Sequence, residues 1–575
     1  MRTGRLGAVS LAILTVVALL LSGCNSIAPT SVPETSKAAA TTVAPSEAPV
    51  ATPEPDPWGK YPETIALTTD TIFAGWMTLE DGEDQDNNWW TKIYLEKLNI
   101  KLTNKWAADG WGTPMDEKFN QALASDDLPD IIYGYSSLAV KAIKNDKVQD
   151  IKGVYEQYAS QQLKDIYTTD KNVLRAWEVD GKLFGLCPSV SALPDRPGFW
   201  VRKDWLDKLG MSVPKTIADV ENAARAFMRD NPGQIDGLYG IGAAWDSGIV
   251  DEIYPYFNLS TGNWLDVDGK LIRKTQQPGI KDVWQKFADW YKEGLLPKDF
   301  AVKKADPDIN QDISTGKCGV WWGSYGNVVG STAMLDLKKR NNDAEFAFIL
   351  PPTVDGKKAH YVANYSYDGA VMVNVKCKYP ESLIKLLNLG TAIFNEPKPD
   401  FITDMSYQHG ATGKGWAEFW RCVGMSCPTN PFQGGWDARA AREALETGDT
   451  SKLSFIAKNE YYDKMKSWLD NGKNDENWVA LWAQYQATGP DSIDEMITQL
   501  NEAKEDYSYS PWWGMETDSM AKYGQNWFQK FREYRTMAIV NNNVQEQFDA
   551  WVAYFQANGG IQATEEANQW YATHK

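Results

Sequence analysis

The chain has 575 residues, with 76 acidic against 58 basic side chains, a formal net charge of −18 and three histidines. So acidic a surface repels phosphate backbones and anionic headgroups, which excludes nucleic acid as a partner and charge-driven adsorption to a bilayer. The three histidines, His360, His409 and His574, leave little for a histidine-rich zinc site or a Ser-His-Asp triad, and HExxH, GxSxG, a P-loop and GxGxxG are absent.

Arg2 and Arg5 precede an uncharged run over 6–21, and small residues follow before Cys24. Basic head, apolar run and small residues are the order of a signal peptide, and about 16 residues broken by Gly7, Ser10 and Thr15 fall short of the roughly 20 that span a bilayer. Leu21-Ser22-Gly23-Cys24 resembles a bacterial lipoprotein signal, which implies cleavage after 1–23 and a lipid on Cys24. From 25 to 57 the chain is Ala, Thr, Ser and seven prolines, a composition that stays extended and solvated, so 24–57 reads as a lipidated tether and Trp58 as the start of the folded body.

Residues 64–74 read as a strand, 88–98 as a helix and 100–106 as a second strand. Thr113-Pro114 then caps a helix to 124, and 128–133 is a short apolar strand. A second α/β region follows. Residues 199–202 are strand-like, Thr216 with Asp219 caps a helix to 229, 238–243 is a strand and 279–293 an amphipathic helix. Residues 318–322 form a strand after Gly316 ends a helix, and 344–350 and 362–375 are strands that carry the chain back. The last ~180 residues are mostly helical in pattern. Alternating strands and helices predict an α/β fold with mixed sheets flanked by helices, in two lobes with a ligand cleft between them and a helical C-terminal extension.

Without Cys24, five cysteines remain, of which Cys422 and Cys427 either close a small loop or stay reduced. The larger anomaly is aromatic: 26 Trp, 26 Tyr and 19 Phe. A pyranose has an apolar C–H face and a rim of hydroxyls, so a flat indole stacks on it while carboxylates, amides and Arg bind the rim. Any single tryptophan is more often core than ligand contact, so only the excess carries this argument.

Six landmarks in order resemble the extracellular solute-binding lipoproteins of carbohydrate ABC transporters, family 1, long lipoprotein branch. They are Asp127-Leu128-Pro129-Asp130-Ile131-Ile132, Val179-Asp180-Gly181-Lys182-Leu183-Phe184-Gly185-Leu186, and 201–210 with Val213-Pro214-Lys215-Thr216. Thr315-Gly316-Lys317-Cys318-Gly319-Val320-Trp321-Trp322, Leu350-Pro351-Pro352 with Asp355-Gly356-Lys357, and Gly559-Gly560-Ile561 with 566–571 complete them. The resemblance implies a type II periplasmic-binding-protein-like fold. It divides the body into lobe 1, 58–185 plus about 351–400, and lobe 2, about 186–350 plus about 401–575. Many relatives carry an acidic calcium loop where this chain has Asp230-Asn231-Pro232-Gly233-Gln234-Ile235-Asp236-Gly237, which lacks regularly spaced oxygen ligands, so no metal and no cofactor are expected.

The resemblance makes 179–186 and 350–357 the crossings between lobes, and candidate ligand contacts lie past strand ends and near those crossings: Trp76 with Asp81 of the acidic loop 80–84, Tyr135, Ser136, Trp245, Asp246, Tyr365, Tyr367 and Asp368. The resemblance places an aromatic platform at Trp321, Trp322 and Tyr325, where the two tryptophans alternate faces if the segment is extended. Trp436, Trp512 and Trp513 are loop candidates, and Arg202 reads as a structural ion pair. These observations lead to a monomeric, non-enzymatic, lipid-anchored protein on the outer face of a bacterial cytoplasmic membrane. It captures a carbohydrate, an oligosaccharide given the aromatic surplus, for an ABC permease driven by a separate ATPase. A secreted Trp-rich glycoside hydrolase, needing only two carboxylates, and a polysaccharide-adhesion lipoprotein are the alternatives.

Overall fold

The computed structural model describes residues 56–73, 82–110, 112–169, 172–188, 193, 196–363, 369–395, 428, 430–454, 456–490 and 492–575. Cys24, Trp76, Asp81, Tyr365, Tyr367, Asp368, Cys422 and Cys427 lie outside them.

The strands in chain order are β1 (Ile65–Ile72), β2 (Ile100–Ala108), β3 (Ile131–Gly134), β4 (Glu178–Val179), β5 (Lys182–Leu183), β6 (Gly198–Arg202) and β7 (Tyr239–Gly242). They continue as β8 (Trp264–Val267), β9 (Lys270–Arg273), β10 (Cys318–Gly323), β11 (Phe346–Ile349), β12 (Tyr361–Ala363), β13 (Ala370–Val373) and β14 (Tyr507–Tyr509). Two four-stranded sheets organise the body, ordered β13-β3-β1-β2 and β11-β6-β10-β7. Both are mixed: β1 runs parallel to β2 and β3 while β13 is antiparallel to β3, and β10 runs parallel to β7 while β6 is antiparallel to both β10 and β11. Strands β3, β6 and β13 are buried along their whole length, which is why they read as continuous apolar runs rather than alternations.

Helices cover the sheets where the sequence predicts. Asn88 caps the helix Trp89–Leu98, its side chain accepting from the backbone N–H of Trp90 and Thr91, and Trp90, Ile93, Tyr94 and Leu98 turn inward. Thr216 and Asp219 form the expected reciprocal capping box at the start of Ile217–Asp230. Thr113 is not a cap. Gly112 holds that position with a φ of 73° and no side-chain bond, and Thr113 is already helical. Residues 362–375 do not form one strand either: β12 pairs with β14, whereas β13 joins the first sheet. The segment before β12 stays with the second half, since Val354 donates its backbone N–H to the Tyr256 carbonyl and the Tyr361 hydroxyl bonds that of Tyr256.

Each sheet anchors its own apolar core. One gathers β1–β3, β13 and the helix Glu381–Asn395, and a second gathers β6, β7, β10, the helix Ile280–Glu293 and the C-terminal helices Asp518–Asn541, Val544–Phe555 and Ile561–His574. Among the described residues nine tryptophans are nearly sealed from solvent, Trp177 and Trp264 among them, so much of the aromatic surplus is packed inside the body, each large side chain contributing about 1.5–3 kcal/mol by burial. The chain is tied down from Asp56 onward: the Lys385 ammonium donates to the carbonyls of Asp56 and Gly59, and Asn388 to that of Pro57.

Candidate ligand-binding cleft

A cavity of about 1030 Å³ opens between the two apolar cores. The first half supplies Ser137, Val140, Ala176 and Trp177 to its wall; the second supplies Trp264, Tyr361, Trp512 and Trp527. Polar groups stand among these rings: Asp251, Glu252, Asn263, Arg273, Lys274, Glu516 and Gln525. Flat apolar faces with dispersed donors and acceptors suit a ring with an apolar face and a hydroxyl rim.

The second half's elements set these groups in place. Trp264 opens the β8–β9 hairpin, and its ring lies 6.1 Å from that of Trp512, which in turn packs on Trp570 at 4.5 Å. Trp527 comes from the helix Asp518–Asn541 and is anchored by donation to the Asn558 carbonyl at 2.8 Å. Asp251 and Glu252 end a short helix after β7. Burial would raise the Asp251 carboxyl, but the Arg535 guanidinium at 2.6 Å, helped by Lys274 and Arg532, holds it below the usual carboxylate range. Glu252 accepts from Trp322 Nε1 at 2.7 Å. Burial depresses Arg273 to about 10 and also lowers Lys274.

The halves also touch beside the cavity. Arg175, ending the helix Asn172–Arg175 of the first half, sits 4.1 Å over the Trp513 ring of the second, and Lys144 pairs with Asp518.

Of the sequence candidates, Trp512 lines the cavity and Trp322 stands one contact behind it through Glu252. Trp513 is buried against Trp570, His574 and Arg175. Trp321 does not reach the cleft. Only 1% exposed, it packs on Phe346 across the other face of β10, as the alternation of an extended strand requires. Tyr135 bonds the backbone of Gly112 and packs edge-on against Tyr133; Ser136 opens the next helix, and Ser137 is the residue on the cavity wall. Trp245 and Asp246 are not on the wall of this cavity: the Trp245 carbonyl accepts from Arg535, and Asp246 accepts from the Ala305 backbone. The Tyr325 hydroxyl reaches Asp494 at 3.4 Å, and Trp436, 39% exposed, donates to Glu502 on a distant helix pair. Arg202 is the expected structural pair, buried against Asp204 and over Trp205. In the turn 230–237, Asp230 pairs with Arg229, and the Asn231 side chain is spent on Ile235. Among the described residues no cluster of His, Cys, Asp and Glu is arranged to hold a metal.

Trp177, Trp264, Trp527 and Arg273 are cavity residues that the sequence reading missed. Trp527 lies at core spacing on a long helix, and Trp264 and Arg273 lie on a hairpin that follows no sheet strand, so the rule of looking past strand ends passes over them.

Residues 82–392, more than half of the chain, match the family described as bacterial extracellular solute-binding protein. The chain belongs to that family. This solute-binding protein is 27% identical over 252 residues to the polygalacturonan/rhamnogalacturonan-binding protein YtcQ of Bacillus subtilis, covering 42% of this chain and 47% of YtcQ. It is 25% identical over 273 residues to the fructooligosaccharide ABC transporter substrate-binding protein FusA of Streptococcus pneumoniae, covering 43% of this chain and 49% of FusA. The chain spans about half the length of the curated relatives it matches. Among solved structures, FusA of S. pneumoniae in complex with kestose aligns with 89% of this chain and 99% of its own at a TM-score of 0.56 and 14% identity. A human-milk-oligosaccharide (HMO)-binding solute-binding protein of Bifidobacterium longum infantis aligns with 88% of this chain and 98% of its own at a TM-score of 0.57 and 13% identity. These likenesses show the fold of this solute-binding protein: a type II binding-protein-like α/β fold with a helical C-terminal region.

Proposed function

We propose that this solute-binding protein captures an oligosaccharide between its two halves and delivers it to an ABC permease driven by a separate ATPase. The observation that carries this reading is the 1030 Å³ cavity whose wall takes Trp177 from one half and Trp264, Trp512 and Trp527 from the other. A ligand stacked on both sides binds the closed arrangement better than the open one, and that difference in affinity is what signals loading. The contacts of Arg175 with Trp513 and Lys144 with Asp518 join the halves on closure. The sheet-centred halves serve as the two lobes. The similarity to YtcQ, a polygalacturonan/rhamnogalacturonan-binding protein, and to FusA, a fructooligosaccharide ABC transporter substrate-binding protein, supports the solute class.

The protein performs no chemistry in this account. Asp251 sits below the usual carboxylate range beside Arg535, the reverse of what a general acid for glycoside cleavage needs. The tether 24–57, lipidated at Cys24, holds the monomeric body on the outer face of the cytoplasmic membrane within reach of the permease. Thermal-shift screening against a panel of glycans tests the reading. A soluble oligosaccharide that raises Tm and is recovered intact supports it; release of shorter products refutes the binding role in favour of hydrolysis.

A further inference from the structure

Arg273 and Lys274 are adjacent cations at the end of the β8–β9 hairpin, both on the cavity wall. Neither forms an ion pair with a described carboxylate. The acidic groups around them are otherwise committed or solvated: Asp251 is held by Arg535 at 2.6 Å, Glu252 accepts from Trp322, and Glu516 is exposed. Two neighbouring like charges, half-buried and balanced only at longer range by Asp251, Glu252 and Glu516, are an unfavourable arrangement that a bound anion relieves. The chain as a whole carries −18, so its general surface repels anions and this pair is a local exception on the cavity wall. The Arg273 guanidinium also lies 5.4 Å from the centre of the buried Trp264 ring, which sets a planar double donor against a rigid aromatic wall.

We infer that the cleft selects a uronate-containing oligosaccharide, with Arg273 and Lys274 holding a sugar carboxylate. A guanidinium offers two parallel N–H donors to a carboxylate, and a bond of that kind is about twice as strong as one between neutral groups. Burial depresses both cations, so a bound carboxylate restores what burial removes.

This inference rests on the oligosaccharide reading and is tested apart from it by calorimetric titration of the protein with trigalacturonate, its methyl ester and neutral galactotriose. The expected result is tightest binding of the free acid, with the ester and the neutral trisaccharide at least tenfold weaker. Arg273→Gln is expected to weaken binding of the acid tenfold or more and to close most of the gap between acid and ester, with Lys274→Gln acting in the same direction and Arg273→Lys recovering part of the loss. Equal binding of acid and ester, or an unchanged affinity in Arg273→Gln, overturns the inference and leaves the oligosaccharide reading standing. Failure of every glycan of a broad panel to bind overturns both.

Discussion

Arg196 offers a direct measure of what fixes the cavity wall. Its guanidinium is sealed from solvent and makes paired bonds of 2.7 and 2.8 Å to the two Asp506 oxygens, with Nε on Asn501 at 3.0 Å. It also lies 4.8 Å from the Tyr361 ring centre, and Tyr361 and the neighbouring Pro197 both line the cavity. Arg196→Met removes one partner of a buried pair and leaves the Asp506 carboxylate, 4% exposed, with only the half-exposed Lys358 ammonium at 4.0 Å, which costs about 3 kcal/mol. Replacing both partners, as Arg196→Met with Asp506→Leu, removes the stranded charge, so most of that loss is recovered. Urea unfolding followed by tryptophan fluorescence reads both variants. A single variant within about 0.5 kcal/mol of the parent, or a double variant no better than the single, refutes the reasoning.

Asp70 is buried on β1 with one oxygen accepting from the Tyr133 backbone and the other without a partner, and burial raises it to about 8. A folded value above the unfolded one means that the stabilising proton is fully in place below about 4 and is lost as pH rises toward 8. Stability should therefore fall by up to about 4 kcal/mol between pH 5 and 9, and Asp70→Asn should flatten that slope in urea titrations. Thr216→Ala removes the capping box of Ile217–Asp230 and should cost about 1 kcal/mol by the same assay, with ligand affinity unchanged. Trp321→Ala should cost about 3–5 kcal/mol in stability yet leave ligand affinity intact, because the ring belongs to the core behind β10. Gln525→Ala, on the exposed rim of the cavity, should do the reverse, lowering affinity in calorimetry with Tm of the empty protein unmoved.

Local signals carried the fold far. The capping residues Asn88 and Thr216, the αL glycine at Gly316 and the apolar run of β3 each answer to short-range physics, so their elements sit where the pattern puts them. The failures are non-local. Residues 362–375 read as one strand because β12 and β13 are both apolar, and nothing in that composition says that they belong to different sheets. The cleft was harder still. Trp177 and Trp527 stand 350 positions apart and meet only through packing of both halves, and a count of tryptophans cannot separate Trp527 on the cavity wall from Trp321 in the core. Alternation did decide one case: Trp321 and Trp322 face opposite sides of β10, and the second is the one joined to the cavity through Glu252.

The central claim is that an oligosaccharide is held between the two halves and draws them together. Small-angle scattering of the protein with and without an oligosaccharide that raises its Tm tests this most directly. The account predicts a smaller radius of gyration in the bound state, and loss of that compaction in Trp512→Ala at the same sugar concentration. Binding with an unchanged radius of gyration, or compaction that survives removal of the cavity tryptophan, would contradict it.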